Sequence, residues 1–482
     1  MVERSRVAAG LSGLALLAGC SFAPAYHPPS TPAPVAFKEA GPWIPATPAD
    51  TAPRGDWWTV FGDTTLNGLE TRIDKDNPTL AGALGRYDEA RGYLHEARAG
   101  LFPQINAGAD LERDHQSDNR PLRGGSQPGT YSSATVGGSA GYELDLWGKV
   151  RNSVAVGKAE ALASGDDLAA IRLSLEVQLA SSYIALRGLD QQSDLLSATV
   201  DDYAKADAMT RRRFQGGIAN GIDASRAGAQ LAEAEAQLAA VHNARALVEH
   251  AIASLVGTPA SSFSIAPAAI DLTMPAVPVG LPSTLLQRRP DVAAAERRMF
   301  AANAEIGVAK AAFFPSISIG GQGGVQNTAL PGLFVAPNLF WSVGPSAVLN
   351  LFDGGRRRGQ LQVARASWTQ ATAAYRGQVL QAFQDVEDGL SQVHHLGDEA
   401  AAEDRAVQQA TLTEQLSFNL YVKGAVDYLD VVTAQTTALR ARRGALDLST
   451  ARLQASVRLI GAIGGGWKGS GDGDHTALRD PR

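Results

Sequence analysis

Between Lys149 and Phe214, apolar residues recur three or four positions apart, at Leu168, Ile171, Leu175, Leu179, Tyr183 and Leu186. That spacing predicts one face of a continuous amphipathic helix. No proline, the residue that breaks a helix interior, stands between Gly129 and Thr258. At 1.5 Å per residue such a helix is about 100 Å long, well beyond the usual 8–20 residues. It suits a rod, a coiled coil or a tube better than a compact core. Arg211, Arg212 and Arg213 followed by Gly216 and Gly217 predict its end, with cations near the C-terminal dipole and glycine past the last turn. A second helix is predicted from Ile222 to Val256, where Leu231, Ala234, Leu238, Val241, Val248, Ile252 and Leu255 form a heptad-like stripe. Upstream, Leu66–Leu101 reads as helical, interrupted near Pro78.

Elsewhere the period falls to two. Ile105, Ala107, Ala109 and Leu111 alternate with polar residues, as do Val136, Gly138, Ala140, Tyr142, Leu144 and Leu146. Each run predicts a strand, and the polar stretch Asp114–Tyr131 between them predicts a loop. The whole series then repeats at an offset of about 205 residues. Phe313-Phe314-Pro315 echoes Leu101-Phe102-Pro103, and Ile317, Ile319 and Val325 alternate as a third strand. Trp341, Val343, Ala347, Leu349 and Leu351 alternate as a fourth. A second long helix opens with Leu361, Trp368 and Tyr375 at heptad spacing. Tyr421-Val422-Lys423-Gly424 echoes Phe214-Gln215-Gly216-Gly217, and Leu429-Asp430 echoes Ile222-Asp223. Lengths agree as well: Leu66–Leu101 and Ile222–Val256 together span about 106 Å, so two shorter helices stacked end to end would flank each long one.

Composition narrows the class. A net charge of −6 leaves no basic footprint for nucleic acid. Cys20 is the lone cysteine, which excludes a disulfide within the chain. Met1–Gly19 has the layout of a secretory leader, with Arg4 and Arg6 before an apolar core, Val7–Ala18, too short for a span. The proline-rich stretch after it reads as a tether along a surface. The resulting division is 1–19 leader, 20–55 tether, 56–260 first repeat, 261–282 linker, 283–465 second repeat and 466–482 flexible tail. No later stretch reaches 18 apolar residues. Four strands of about 10 residues match tilted membrane strands, yet four cannot close a pore. Open edges are not tolerated in lipid, so several chains must share one barrel.

Leu17-Ala18-Gly19-Cys20 resembles the lipobox of bacterial lipoproteins, in which the cysteine becomes the lipidated first residue; Ser21 is similar to the residue that directs such proteins to the outer membrane. Together with Tyr142-Glu143-Leu144-Asp145-Leu146-Trp147-Gly148-Lys149, Leu285 to Asp291, Leu351-Phe352-Asp353-Gly354-Gly355 and Gly424 through Gln435, it makes nearly the whole mature chain resemble the TolC-like outer membrane factors, in particular their lipidated NodT-type branch. The resemblance implies a mostly helical chain of four strands and six main helices. It implies a homotrimer that builds a twelve-stranded barrel continuing into a periplasmic tube. The implied role is a passive exit duct fed by a periplasmic adaptor and an inner-membrane transporter, without cofactor apart from lipid on Cys20. The paired turns would then form the periplasmic entrance, with Phe214, Gly217, Asp223, Tyr421, Gly424 and Asp430 as gate candidates.

Several signals have plainer readings. Asp223 and Asp430 also suit helix N-termini on electrostatic grounds alone, and Tyr421 also suits tip packing. A basic residue that joins the closing network in some family members is replaced here by Val426. Arg356-Arg357-Arg358 reads as a solvated or headgroup-facing run. His394 and His395, adjacent on a helix, are expected to point apart, so no metal site is read there. Gly320-Gly321-Gln322-Gly323-Gly324 lies in a strand pattern and is no phosphate loop. No nucleophile elbow at a strand-to-helix turn and no H-E-x-x-H spacing is read in the sequence, which argues against an enzyme. A protein-secretion duct and a trimeric envelope spacer are the alternatives; the spacer does not account for the internal repeat.

Overall fold

The computed structural model describes residues 21–29, 37–39, 55–117, 119–120, 128–270, 272, 274–275 and 289–465. The leader, Cys20, residues 276–288 and the tail 466–482 fall outside the described residues.

The first repeat runs through helices α1 (Thr64–Asp76) and α2 (Pro78–Ala99), strands β1 (Gln104–His115) and β2 (Thr130–Leu144), and helices α3 (Lys149–Gln215) and α4 (Gly221–Leu255). The second runs through α5 (Pro290–Ala311), β3 (Ser316–Asn327), β4 (Leu339–Val348), α6 (Arg356–Val422) and α7 (Tyr428–Ala462). Both long helices have 67 residues and both helices that follow them have 35.

Two expectations need correction. The interruption expected near Pro78 is a full break that makes two helices of the segment from Leu66, so the described residues hold seven main helices where six were counted. Asn77 leaves the helical conformation and its side chain accepts from Leu80 N, capping α2 with Pro78 in the first turn. The offset is also not uniform. Pro78 is matched by Pro290 but Lys149 by Arg356, so the second hairpin is shorter than the first.

The shorter helices meet end to end as anticipated, with α2 and α5 taking the part given to longer segments. Asn77 Nδ2 donates to Leu255 O at 2.7 Å, joining α2 to the end of α4. Arg289 Nη1 donates to Ala462 O at 3.2 Å, joining α5 to the end of α7. Around these junctions lies the main core, where Leu179, Tyr183 and Ile184 of α3 meet Val379, Val386 and Leu390 of α6, with Trp57, Trp58, Ile252, Met299 and Val457.

The strands form one antiparallel sheet in the order β1-β2-β3-β4. Its register aligns one apolar row after another: Ile105, Ala140, Gly321 and Val343; Ala107, Gly138, Gly323 and Trp341; Ala109, Val136, Val325 and Leu339. The intervening rows carry polar residues, as in Asn106, Ser139, Gln322 and Ser342, or mostly glycine, as in Gly108, Gly137 and Gly324 beside Phe340. Alternation therefore produces a sheet with one apolar and one polar face. Ile105, Leu111, Leu339, Trp341 and Val343 are all exposed. Pro345, which lacks a backbone N–H, stands on β4 opposite Ile319, and β4 has only β3 as a neighbour within the chain. No helix among the described residues is long and apolar enough to cross a membrane.

Candidate gate at the paired helix ends

Each long helix ends in the same device. After α3, Gly217 adopts φ +72°, and Ile218 N donates back to Arg213 O at 2.9 Å. After α6, Gly424 adopts φ +74°, and Ala425 N donates to Leu420 O at 2.9 Å. A side chain at either glycine would be strained, since left-handed φ costs other residues about 1–2 kcal/mol. Asn220 caps α4 by accepting from Asp223 N at 3.0 Å. α7 starts at Asp427 without such a side-chain cap, and Asp430 N donates to Asp427 O at 3.1 Å.

The two turns are held together by residues that flank the candidates. Arg213 places its guanidinium 4.8 Å from the centre of the Tyr421 ring, and its Nη1 donates to Tyr421 O at 3.4 Å. Tyr421 meets Tyr428 edge to face at 5.1 Å. With Ala227 and Val431 these tyrosines form a small buried cluster, against which Met209, Phe418, Val426 and Val432 pack. Val426 thus contributes apolar packing where a basic residue was considered. The Tyr421 hydroxyl is buried with no hydrogen-bond partner, and one oxygen of Asp207 is likewise unpartnered while the other accepts from Arg211 at 2.7 Å. Burial raises the Tyr421 phenol, with Arg213 opposing and Asp223 adding to the shift. Burial, then Tyr421, Tyr203, Asp207 and Asp223, push Tyr428 up to about 12. Both phenols are therefore neutral at physiological pH.

Of the six tip candidates, Tyr421 alone is buried. Phe214 is 50% exposed, its ring lying against Gly221. Asp223 is half-buried and Asp430 exposed, and neither carboxylate has a hydrogen-bond or ion-pair partner among the described residues. Asp430 and Tyr421 thus flank the same glycine turn without a hydrogen bond between their side chains. The sequence signals passed over Tyr428 and assigned Arg213 only to the helix dipole. An aromatic residue on each side of the second glycine turn was the available clue.

At the opposite end, Phe22 stacks on Phe314 with centroids 4.5 Å apart, and Phe314 stacks on Trp147 at 5.0 Å. Trp147 Nε1 donates to Pro315 O at 2.7 Å. Asn303 Nδ2 donates to Pro24 O at 2.8 Å. The residues just after Cys20 are therefore docked where strands pass into long helices.

The profile of the outer membrane efflux protein family matches residues 71–258 and 281–465. The chain is 31% identical to the outer membrane protein OprJ of Pseudomonas aeruginosa over 464 residues, 95% of this chain and 96% of that protein. It is 29% identical to the cation efflux system protein CusC of Escherichia coli over 457 residues, 94% of this chain and 97% of that one. Among solved structures, the open state of the MtrE outer membrane channel of Neisseria gonorrhoeae superposes with a TM-score of 0.81 at 27% identity, covering 93% of this chain and 99% of that chain.

Proposed function

The chain belongs to the outer membrane efflux protein family, and from this we propose that three copies close one barrel and one periplasmic tube. It is an outer membrane component of an efflux system and not an enzyme. In the proposed assembly a periplasmic adaptor docks at the helix turns and an inner-membrane transporter supplies the energy. The duct itself is passive and works without a cofactor. Cys20 carries the lipid anchor, and the docking of Phe22 against Phe314 supports this, because it holds the segment that follows Cys20 beside the strands.

One observation carries the reading. The sheet has an exposed apolar face, yet β1 and β4 leave both of its edges unpaired within the chain. Unpaired backbone is costly in lipid. Three four-stranded sheets joined edge to edge remove every edge and leave the polar rows lining a lumen. Native mass spectrometry of the full chain extracted in mild detergent is expected to give a trimer. A stable monomer with full strand content would overturn the shared barrel.

The gate is proposed at the paired turns. Phe214, Gly217, Asp223, Tyr421, Gly424 and Asp430 are its candidate residues, with Arg213 and Tyr428 as packing partners. The unpartnered Tyr421 hydroxyl and the free carboxylates of Asp223 and Asp430 are consistent with contacts made between copies rather than within one.

A further inference from the structure

His394, His395 and Asp398 lie on one turn of α6, about midway along it. Adjacent histidines on a helix were expected to diverge. Instead the two imidazoles meet edge to face with centroids 5.0 Å apart. His394 Nε2 lies 3.8 Å from Asp398 Oδ2, the separation of residues i and i+4 that places both on one face. One donor atom from each of the three lies within 4.8 Å of the others. None of the three side chains has a partner outside the group among the described residues.

The surroundings favour a cation. From Asp385 to Asp404 the helix carries seven carboxylates and no lysine or arginine. Gly397 leaves open space beside the turn, since nothing lies within 4 Å of where its Cβ would stand. The backbone that presents the donors is held on both sides. Glu387 accepts the backbone N–H of Lys38 at 2.7 Å and of Glu39 at 3.0 Å, and Gln392 accepts from Arg458 at 2.9 Å.

We propose that His394, His395 and Asp398 form a three-donor site for a divalent transition cation of the Zn²⁺, Ni²⁺ or Cu²⁺ class. Two imidazoles and one carboxylate match that class, whereas Mg²⁺ and Ca²⁺ take all-oxygen sets. Ligands about 2.0–2.1 Å from a tetrahedral zinc stand roughly 3.4 Å from one another. The donors must therefore close in by up to about 1.4 Å, which solvent-facing side chains reach by rotations about χ1 and χ2. Three protein donors leave a fourth position open to water.

The test uses the full chain, without a polyhistidine tag, extracted in detergent and stripped with chelator. Equilibrium dialysis against micromolar Zn²⁺, with metal and protein measured in parallel, is expected to give one Zn²⁺ per chain. His394→Ala combined with His395→Ala should abolish it at an unchanged melting temperature. Asp398→Asn should weaken it roughly tenfold, a loss of about 1.4 kcal/mol. A hundredfold excess of Mg²⁺ should not displace the zinc. No bound Zn²⁺ in the wild type, equal Zn²⁺ in the double variant, or displacement by Mg²⁺ would each overturn the site.

Discussion

Glu70 is a carboxyl group in a place that water does not reach. It sits on α1 between Leu66, Leu69 and Ile73, is 1% exposed, and neither of its oxygens has a hydrogen-bond partner. Burial, followed by the Glu176 and Asp74 carboxylates, raises it from 4.5 to about 10. It is therefore protonated in the folded chain at neutral pH and ionised in the unfolded one. A raised folded value means that its contribution is fully present below 4.5 and is lost progressively up to about 10. At pH 7 the loss covers about two and a half units at 1.36 kcal/mol each, or about 3 kcal/mol per chain. Glu70→Gln keeps the shape and removes the ionisation. With an unfolding entropy of about 2.1 cal/mol/K per residue, the variant should melt about 3 °C above the wild type at pH 7. Melting followed by tryptophan fluorescence from pH 4.5 to 8 is the assay, since Trp57 donates to Glu176 at 3.0 Å in the same cluster. The two curves should coincide at pH 4.5 and diverge steadily above it, while Glu235→Gln on an exposed surface should track the wild type throughout. Parallel curves for Glu70→Gln would refute the reasoning, because they would mean that Glu70 ionises in the folded chain as readily as in the unfolded one.

Tyr421→Phe with Asp430→Ala is expected to raise single-channel conductance in planar bilayers and to admit large antibiotics into cells; unchanged conductance in an assembled trimer would mean that the closure is held elsewhere. Tyr421→Phe alone should leave melting within about 1 kcal/mol of the wild type, because the hydroxyl it removes has no partner in the chain. Cys20→Ser should abolish acyl labelling, and an unacylated mature N-terminus at another residue in the wild type, found by mass spectrometry, would exclude the anchor. Efflux should survive that change in part, since the barrel holds the protein in the membrane independently.

Local signals made the long elements legible. Proline-free runs with recurring apolar residues predict α3 nearly to the residue and α6 from Leu361, five residues inside its start, and alternation predicts all four strands, although Leu146, Leu349 and Leu351 lie past the ends of β2 and β4. The duplication was visible because turn motifs recur as units. What the chain concealed depends on contacts across long sequence separations. Phe37 is buried in the main core and Lys38 and Glu39 bond to α6, although the segment reads as a surface tether. Arg213 over Tyr421 joins two turns that no local pattern links. The split at Asn77 was marked by an Asn-Pro pair, but only the bond from its side chain to Leu255 O shows why the break lies there. At His394 and His395, side-chain rotation overrides the divergence that helix geometry alone predicts.

The distribution of packing bears on where such a duct can open. The large core sits at mid-height, where the shorter helices meet end to end beside both long ones and aromatic side chains from several elements interlock. Opening there would expose much apolar surface and break the capping bonds at Leu255 and Ala462. At the turns only Ala227, Tyr421, Tyr428 and Val431 are buried together, and Phe214, Ile218, Ile222 and Leu429 already face solvent. Segments with few buried apolar contacts are the ones that open locally at low free energy. A helix pair anchored at its middle and lightly held at its end can therefore splay at the turn without loosening the shaft. An adaptor that favours the splayed form by about 5.5 kcal/mol would take the entrance from almost always closed to almost always open. Three copies sharing one docking event would each need to contribute only about a third of that.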